Sequence, residues 1–414
     1  MTLQEILDMP MEILKYLSIP LIAGLIGWFT NWVAIKMTFY PLTFWGKKIG
    51  FLKLGWQGII PANASKISNK SVDLITEKLL SLEEIFGNLD SKKVAEAMAP
   101  KVVTITTHII DNTMVYHFGA VWKNIPKSIK SNIYEASAKD LPATIDNIML
   151  SIKTNLSYYI DIKKMCVDAI LKDVRLLNDI FIRCGKEEFK FIVNSGWWFG
   201  LIFGIFQMIV WYFFPKDWTL PVCGIIVGYA TNWLALKLIF EPKKPKKIFG
   251  YTIQGLFIKR QADVSLEYAK IVSDYILNSE QMWEHMLNDN GGEKLWNLFE
   301  KNIEEAVERQ SINIEPVVNL LVGSKKYEDI KTTIIKQLVA EMPRTLHTIH
   351  EVSNASFNIE KVMGDKMTAL TPEEFEGVLR PAFQEEELTL ILVGAVLGGV
   401  AGLIQLMLVF GGGN

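Results

Sequence analysis

The sequence predicts an all-α integral membrane protein with four transmembrane helices in two parallel repeats, each repeat carrying a long helical cytoplasmic insertion. Three observations predict it. Half of the 414 residues are apolar and only 21% are charged, with a mean hydropathy of +0.21, a balance that fits a membrane protein better than a soluble one. Four apolar stretches approach the roughly 20 residues that a helix needs to cross a bilayer. One polar motif is also written twice, at the ends of the first and third stretches: Thr30-Asn31-Trp32-x-Ala34-x-Lys36-x-x-Phe39-x-Pro41 and Thr231-Asn232-Trp233-x-Ala235-x-Lys237-x-x-Phe240-x-Pro242.

Taken in order, residues 1–16 carry Glu5, Asp8 and Glu12 against Lys15. They lack the basic start of a secretory signal, so they read as an extracytoplasmic segment ahead of a retained membrane helix at 17–41. Residues 42–190 form the first helical module. Its opening collar, 42–60, interleaves Phe44, Trp45, Phe51 and Trp56 with Lys47, Lys48 and Lys53, a composition suited to lying on anionic lipid. Beyond it, Ile67, Val72, Ile75, Leu79, Leu82 and Phe86 keep the spacing of one amphipathic helix. Asp161 reads as a helix N-cap.

The second membrane helix, 191–214, carries Gly196, Gly200 and Gly204, with Gln207 following. A glycine at every fourth position leaves a smooth face against which another helix can pack closely. The third helix, 219–241, ends in the second motif copy. The second module, 242–387, opens on a collar at 242–258 with Lys243, Lys244, Lys246, Lys247, Phe249, Tyr251 and Phe257. Asn358 reads as an N-cap paired with Asp161, and Thr371-Pro372-Glu373-Glu374 reads as a capping box with proline in the first turn. The fourth helix, 388–410, repeats the glycine face as Gly394, Gly398 and Gly402, followed by Gln405. The first and third helices answer with Ala23-x3-Gly27 and Gly224-x3-Gly228, so each repeat reads as one hairpin. Two crossings per repeat make the copies parallel, an arrangement that transporters share with other folds.

Basic residues near helix ends set sidedness. They follow the first and third helices, while the 215–219 connector is neutral and the last 27 residues have none. Both modules are therefore placed in the cytoplasm, and both termini outside. Residues 42–190 hold 21 basic and 16 acidic groups, a charge of +5; residues 241–388 hold 18 and 25, a charge of −7. This complementarity favours docking of one module on the other.

The motif, with Gln57-Gly58-Ile59-Ile60-Pro61 after it and Leu379-Arg380-Pro381-x-Phe383-Gln384 before the last helix, resembles the bacterial membrane protein family numbered four hundred and forty-five among the domains of unknown function. The resemblance runs from about residue 17 to 410. It implies a multi-pass membrane protein with long helical insertions and brings no activity, substrate or cofactor with it. The second copy departs from the first at Ile258, where Pro61 has no counterpart.

Candidate intramembrane polar residues are Thr30, Asn31, Thr231, Asn232, Gln207 and Gln405. They read either as interhelical hydrogen-bonding groups or as the lining of a polar space between the repeats. Gly27, Gly228 and the six glycines of the second and fourth helices are packing residues. Lys36, Trp45, Trp56, Lys237, Lys246 and Lys247 are interfacial anchors, the lysines snorkelling to headgroups.

Catalytic signals are thin: no nucleophile elbow, Walker loop or metal-ligand spacing appears. His347 and His350 lack a nearby third ligand. Cys166, Cys184 and Cys223 read as reduced structural thiols. The expectation is a non-enzymatic inner-membrane protein without cofactors, an envelope scaffold or lipid-interacting protein. Its partners would be membrane lipids, with a homo-oligomer or an envelope protein left open, and no nucleic acid. The rival is a small-solute or ion transporter using Asn31, Asn232, Gln207 and Gln405.

Overall fold

A computed structural model describes residues 3–49, 52–248, 250–288, 292–311, 323–380 and 387–410. The chain is almost wholly helical, and it divides into two compact units. Unit 1 gathers 1–75, 167–271 and 363–414; unit 2 gathers 76–166 and 272–362. Both insertions therefore contribute to both units.

Unit 1 contains the four helices long and apolar enough to cross a membrane, with candidate spans Lys15–Phe39, Lys186–Phe213, Thr219–Phe240 and Glu387–Leu408. The first span belongs to a longer helix that runs from Leu3 to Phe39, so helix continues back through the segment read as preceding it. The first helix packs chiefly on the second, and the third on the fourth. Close approach explains the glycines. A Cβ on Gly27 would meet the Gly196 carbonyl, and one on Gly196 would meet that of Gly27. Gly228 and Gly394 stand in the same relation.

The two collars are the main departure from a reading that was helical throughout. They are antiparallel β-hairpins, Trp45–Ile49 with Leu52–Trp56 and Lys246–Ile248 with Tyr251–Ile253. Their aromatic and β-branched residues suit strands. In the second hairpin Gly250 takes the left-handed conformation (φ 82°) that a tight turn requires. Trp45 pairs with Trp56 in the first register, a cross-strand aromatic pair of the kind that stabilises short ladders.

Behind each hairpin a glycine turns the chain under the membrane helix. The Gly58 N–H donates to the Pro41 carbonyl (2.9 Å), and the Gly255 N–H donates to that of Pro242 (3.0 Å). The single amphipathic helix expected over 67–86 is divided: a helix ends at Leu74, a π-turn covers Ile75–Leu79, and a new helix starts at Leu82. The Ser81 side chain caps that new helix, which puts the break in the backbone while Ile67, Val72, Ile75, Leu79 and Phe86 stay buried. Asp161 caps its helix by accepting from the Lys164 N–H (2.9 Å), and the Thr371 capping box forms with Glu374. Asn358 stands at both ends: it closes the helix Ser324–Phe357 in the left-handed conformation (φ 43°), which asparagine tolerates better than most residues, and its carbonyl accepts the Val362 N–H (3.1 Å) to open the helix Ile359–Ala369.

Unit 2 is a helical body built from both insertions. Its long helices Ser91–Asn124 and Ser324–Phe357 pack together, flanked by Leu141–Thr154 and Gly292–Ser311. Phe86 is its anchor, with ring centroids 4.9 Å from Phe357 and 6.3 Å from Trp283, all three fully buried. Charge explains this packing less than the module totals suggest. Residues 76–166 carry 11 basic and 10 acidic groups, while residues 272–362 carry 9 and 15. The basic surplus of the first insertion lies in the parts that belong to unit 1, so apolar burial is the dominant cohesive term here.

Candidate functional site

All six residues singled out as intramembrane polar groups are buried. The Thr30 hydroxyl donates to the Gly27 carbonyl one turn back, and Thr231 donates to Gly228, each at 3.2 Å. The asparagines reach further. Asn31 Nδ2 donates to the Ile192 carbonyl on the second helix (2.6 Å), and Asn232 Nδ2 to the Leu390 carbonyl on the fourth (2.8 Å). Each thus ties its helix to the one it packs against most. Asn31 Oδ1, Asn232 Oδ1 and Gln405 Nε2 are buried without a hydrogen-bond partner.

The remaining packing glycines line the same seams. Gly200 lies against Ala23 and Gly204 against Pro20; Gly398 lies against Gly224 and Gly402 against Leu220. Trp32 and Trp233, next to the buried asparagines, are exposed on the outer faces of their helices. A residue one position along a helix faces a different side, so the motif writes interior and exterior alternately.

The junctions beneath the membrane helices are where the two copies differ. The last carbonyls of a helix lack intrahelical donors. In the first junction, Trp56 Nε1 donates to the Met37 carbonyl (3.2 Å) and the buried Asn178 donates to that of Phe39 (2.7 Å). Gln57 Nε2 also holds the Leu42 carbonyl (2.9 Å). In the second junction Gln254 donates to the Lys243 carbonyl (3.2 Å), but Ile253 stands where Trp56 does and Phe375 where Asn178 does. Phe375 stacks on Phe257 (5.1 Å), which in turn contacts Phe240 (5.8 Å).

Two buried carboxylates, not marked by any motif, complete these junctions. Glu376, with its side chain 3% exposed, pairs with Lys243 Nζ at 2.6 Å and with Arg380. The Arg380 guanidinium also lies over the Phe240 ring (5.5 Å). Glu188, equally buried, accepts from Arg260 Nη1 with both oxygens (2.9 and 2.8 Å). Arg183 pairs with Glu267 at 2.6 Å. Buried charges persist only when paired. Arg380 stands at helical spacing from Glu376, but Arg260 and Lys243 are 72 and 133 residues from their carboxylates, so spacing offered no signal for those pairs.

Five of the six interfacial anchors are exposed. Lys36 lies over the Tyr40 ring (5.6 Å) and Lys237 over Trp233 (4.9 Å), with Glu241 3.8 Å from Lys237. Trp45 is 78% exposed, and Lys47, Lys246 and Lys247 are exposed beside it on the hairpins, while Trp56 is half-buried by its bond to the helix end.

Burial, with Asp161 and Glu267 nearby as lesser causes, pushes the Cys166 and Cys184 thiols up to about 12, far from the thiolate a nucleophile needs. Among the described residues no group of three His, Cys, Asp or Glu side chains could hold a metal. The His347 and His350 side chains, and residues 381–386 of the closing motif, lie outside the described residues.

Comparison with known proteins agrees with the resemblance carried by the motif. Residues 21–155 match the family described as a protein of unknown function (DUF445). The chain is 22% identical to a UPF0754 membrane protein of Synechococcus sp. (strain JA-3-3Ab), over 94% of this chain and 97% of that one. A UPF0754 membrane protein of Cyanothece sp. (strain PCC 7425 / ATCC 29141) is 23% identical over 96% and 99%. One of Bacillus mycoides (strain KBAB4) is 26% identical over 43% and 53%. No solved structure matches. The chain is a bacterial-type membrane protein with four candidate membrane-spanning helices.

Proposed function

We propose that this chain is a non-enzymatic multi-pass protein of the cytoplasmic membrane that binds anionic lipid headgroups through its two basic aromatic β-hairpins, and so seats a helical body beneath the inner leaflet. The carrying observation is placement: each hairpin follows directly from the C-terminal end of a membrane helix, with Lys47, Lys246, Lys247 and Trp45 exposed. Lysines near an anionic surface contribute about 1 kcal/mol each, and tryptophan favours the headgroup level. The matching Gly58 and Gly255 turns, and the matching asparagine bonds, support reading the chain as a parallel duplication, and the basic residues that follow the first and third helices support placing both modules in the cytoplasm.

The test uses the full chain in detergent, with thermal unfolding followed on addition of phosphatidylglycerol or phosphatidylcholine. The expected result is stabilisation by the anionic lipid alone, lost when Lys47, Lys48, Lys53, Lys246 and Lys247 are all replaced by Gln. Equal response to both lipids, or an unchanged response in the variant, would sink the reading.

A second reading, passage of a small polar solute, draws on the unpartnered Oδ1 atoms of Asn31 and Asn232. Against it, each amide is engaged within its own helix pair. The cavity bordering Ile192 measures 30 Å³ with largely apolar walls, including Leu236, Ile239 and Phe257, room for about one or two waters. Replacing both asparagines by Leu separates the readings: lost flux in an intact, assembled protein supports passage, and lost assembly supports packing.

A further inference from the structure

Unit 2 contains a partly open cavity of 190 Å³ lined by the helices Ser91–Asn124, Lys127–Lys139, Leu141–Thr154, Gly292–Ser311 and Ser324–Phe357. Its walls are mostly branched aliphatic side chains, such as Ile105, Ile145, Ile148, Ile303, Ile334 and Leu338. It exceeds the ~150 Å³ at which an apolar protein cavity already accepts a benzene-sized guest. On the helix Ser324–Phe357 its lining runs from Tyr327 to Thr345, which at 1.5 Å per residue is about 27 Å of helix. The space is long and narrow.

Its polar lining is densest at one end, with Thr106, Thr144, Glu341 and Thr345 spaced along the rest. Tyr327, Lys331, Gln310 and Ser311 line it where the helix Gly292–Ser311 ends and the next begins. Three contacts fix that end: Gln310 Nε2 donates to the Ser137 carbonyl (3.1 Å), and Lys331 Nζ lies 3.3 Å from Glu308 and 4.0 Å from Glu328, both exposed carboxylates that an anionic head would have to displace. Tyr327 is 8% exposed, and its hydroxyl has no hydrogen-bond partner; Thr106, 5% exposed and in the wall, also lacks one for its Oγ1. Buried hydroxyls normally find partners, and the exceptions call for a missing group.

We infer that this cavity is a binding site for one long fatty acyl chain, its tail between the aliphatic walls and its anionic head at Lys331, Tyr327 and Gln310. A straight chain matches the elongation, and Lys331, the one cation among the lining residues, beside the unpartnered Tyr327 hydroxyl matches a carboxylate or phosphate head. The bilayer that holds unit 1 is a ready source of such chains. The inference goes beyond headgroup binding at the hairpins and does not depend on it.

The test places the full chain in phosphatidylcholine nanodiscs with a diazirine-bearing fatty acid or a diazirine-bearing phospholipid, and maps crosslinks after irradiation. Crosslinks to peptides carrying Ile105, Ile145 or Ile334 are expected, and the probe that gives them identifies free acid or phospholipid as the source. A306W, which fills the cavity, should reduce these crosslinks at least fivefold. K331Q and Y327F, which keep the packing volume, should weaken competition by oleate several-fold but leave competition by uncharged oleyl alcohol unchanged. The five-lysine hairpin variant should leave all of this intact, so failure here and failure of the headgroup reading are separable. Crosslinks confined to the membrane helices would overturn the inference. So would A306W crosslinking like the parent chain, or unfolding at a higher temperature while neither probe labels unit 2, the behaviour of a plain packing void.

Discussion

The two junctions beneath the membrane helices do the same backbone task with different chemistry. In both, a glycine, Gly58 or Gly255, lets the chain pass so close to the helix end that a Cβ would collide with backbone at Phe39 or Phe240. The first junction then satisfies the exposed helix carbonyls one by one, with Trp56 and Asn178 as donors. The second covers its helix end with Phe257 and Phe375 and sets a buried Glu376 between Lys243 and Arg380. Matching motifs therefore specify the course of the chain, and the side chains that secure it are free to diverge. A hydrogen-bonded junction fails gradually, one donor at a time. A junction resting on one buried carboxylate concentrates its risk.

The largest expected effect follows from that concentration. Glu376→Gln removes the buried counter-charge of Lys243 and Arg380, which are themselves part-exposed, and should cost about 1.5–3 kcal/mol in denaturant unfolding of the solubilised protein. The corresponding position of the first junction is Asp179, which is exposed; Asp179→Asn should change stability by no more than about 0.5 kcal/mol. Equal effects at both positions would break the comparison.

Next comes Asn178→Ala, which leaves the Phe39 carbonyl buried without its donor and should cost about 1–3 kcal/mol. A recovery in the variant Asn178→Phe would show that the aromatic solution can be transplanted into the first junction. Smaller still, Asn31→Leu and Asn232→Leu should each cost about 0.6–2 kcal/mol. The two should add, because the bonds lie in separate helix pairs.

The smallest effect lies in unit 2. Trp122 Nε1 and the Tyr134 hydroxyl both donate to Asp111 Oδ1 (2.6 and 2.8 Å), with the Trp122 bond foremost in holding this carboxyl below its ordinary range. A carboxyl with a lowered folded-state pKa contributes stability above its unfolded value, and loses that contribution as pH falls through the folded one. The parent chain should therefore lose a small increment of stability below about pH 4 that Asp111→Asn does not lose. Parallel pH profiles for the two proteins would remove the proposed role of the bonds.

The four membrane helices and their seams were legible in the sequence because they rest on local facts: apolar length, and glycines at helical spacing facing small residues. The hairpins were not. Strands of five and three residues carry too little alternation to outweigh a lysine and aromatic composition that also suits an interfacial helix. Capping was legible where a side chain reaches its own helix, as at Asp161 and Thr371. At Asn358 the helix start was legible, but not that the same residue also closes the preceding helix, which its left-handed backbone allows.

The buried carboxylates lay beyond reading, since nothing around Glu188 or Glu376 announces Arg260 or Lys243. The charge totals of the insertions suggested docking of one on the other, but they included basic residues that fold with the membrane helices. The halves that do meet in unit 2 are held by Phe86, Trp283 and Phe357.

That aromatic anchor also imposes an order on biosynthesis. Phe86 precedes Trp283 by 197 residues and Phe357 by 271, and the second and third membrane helices are translated in between. At about 5–20 residues per second, Phe86 waits roughly 10–40 s for its first aromatic partner. During that interval the ribosome must deliver two further membrane helices. Synthesis of the second and third membrane helices thus precedes completion of the helical body, which itself precedes the fourth, and chains stalled between residues 200 and 280 should be the most dependent on chaperones.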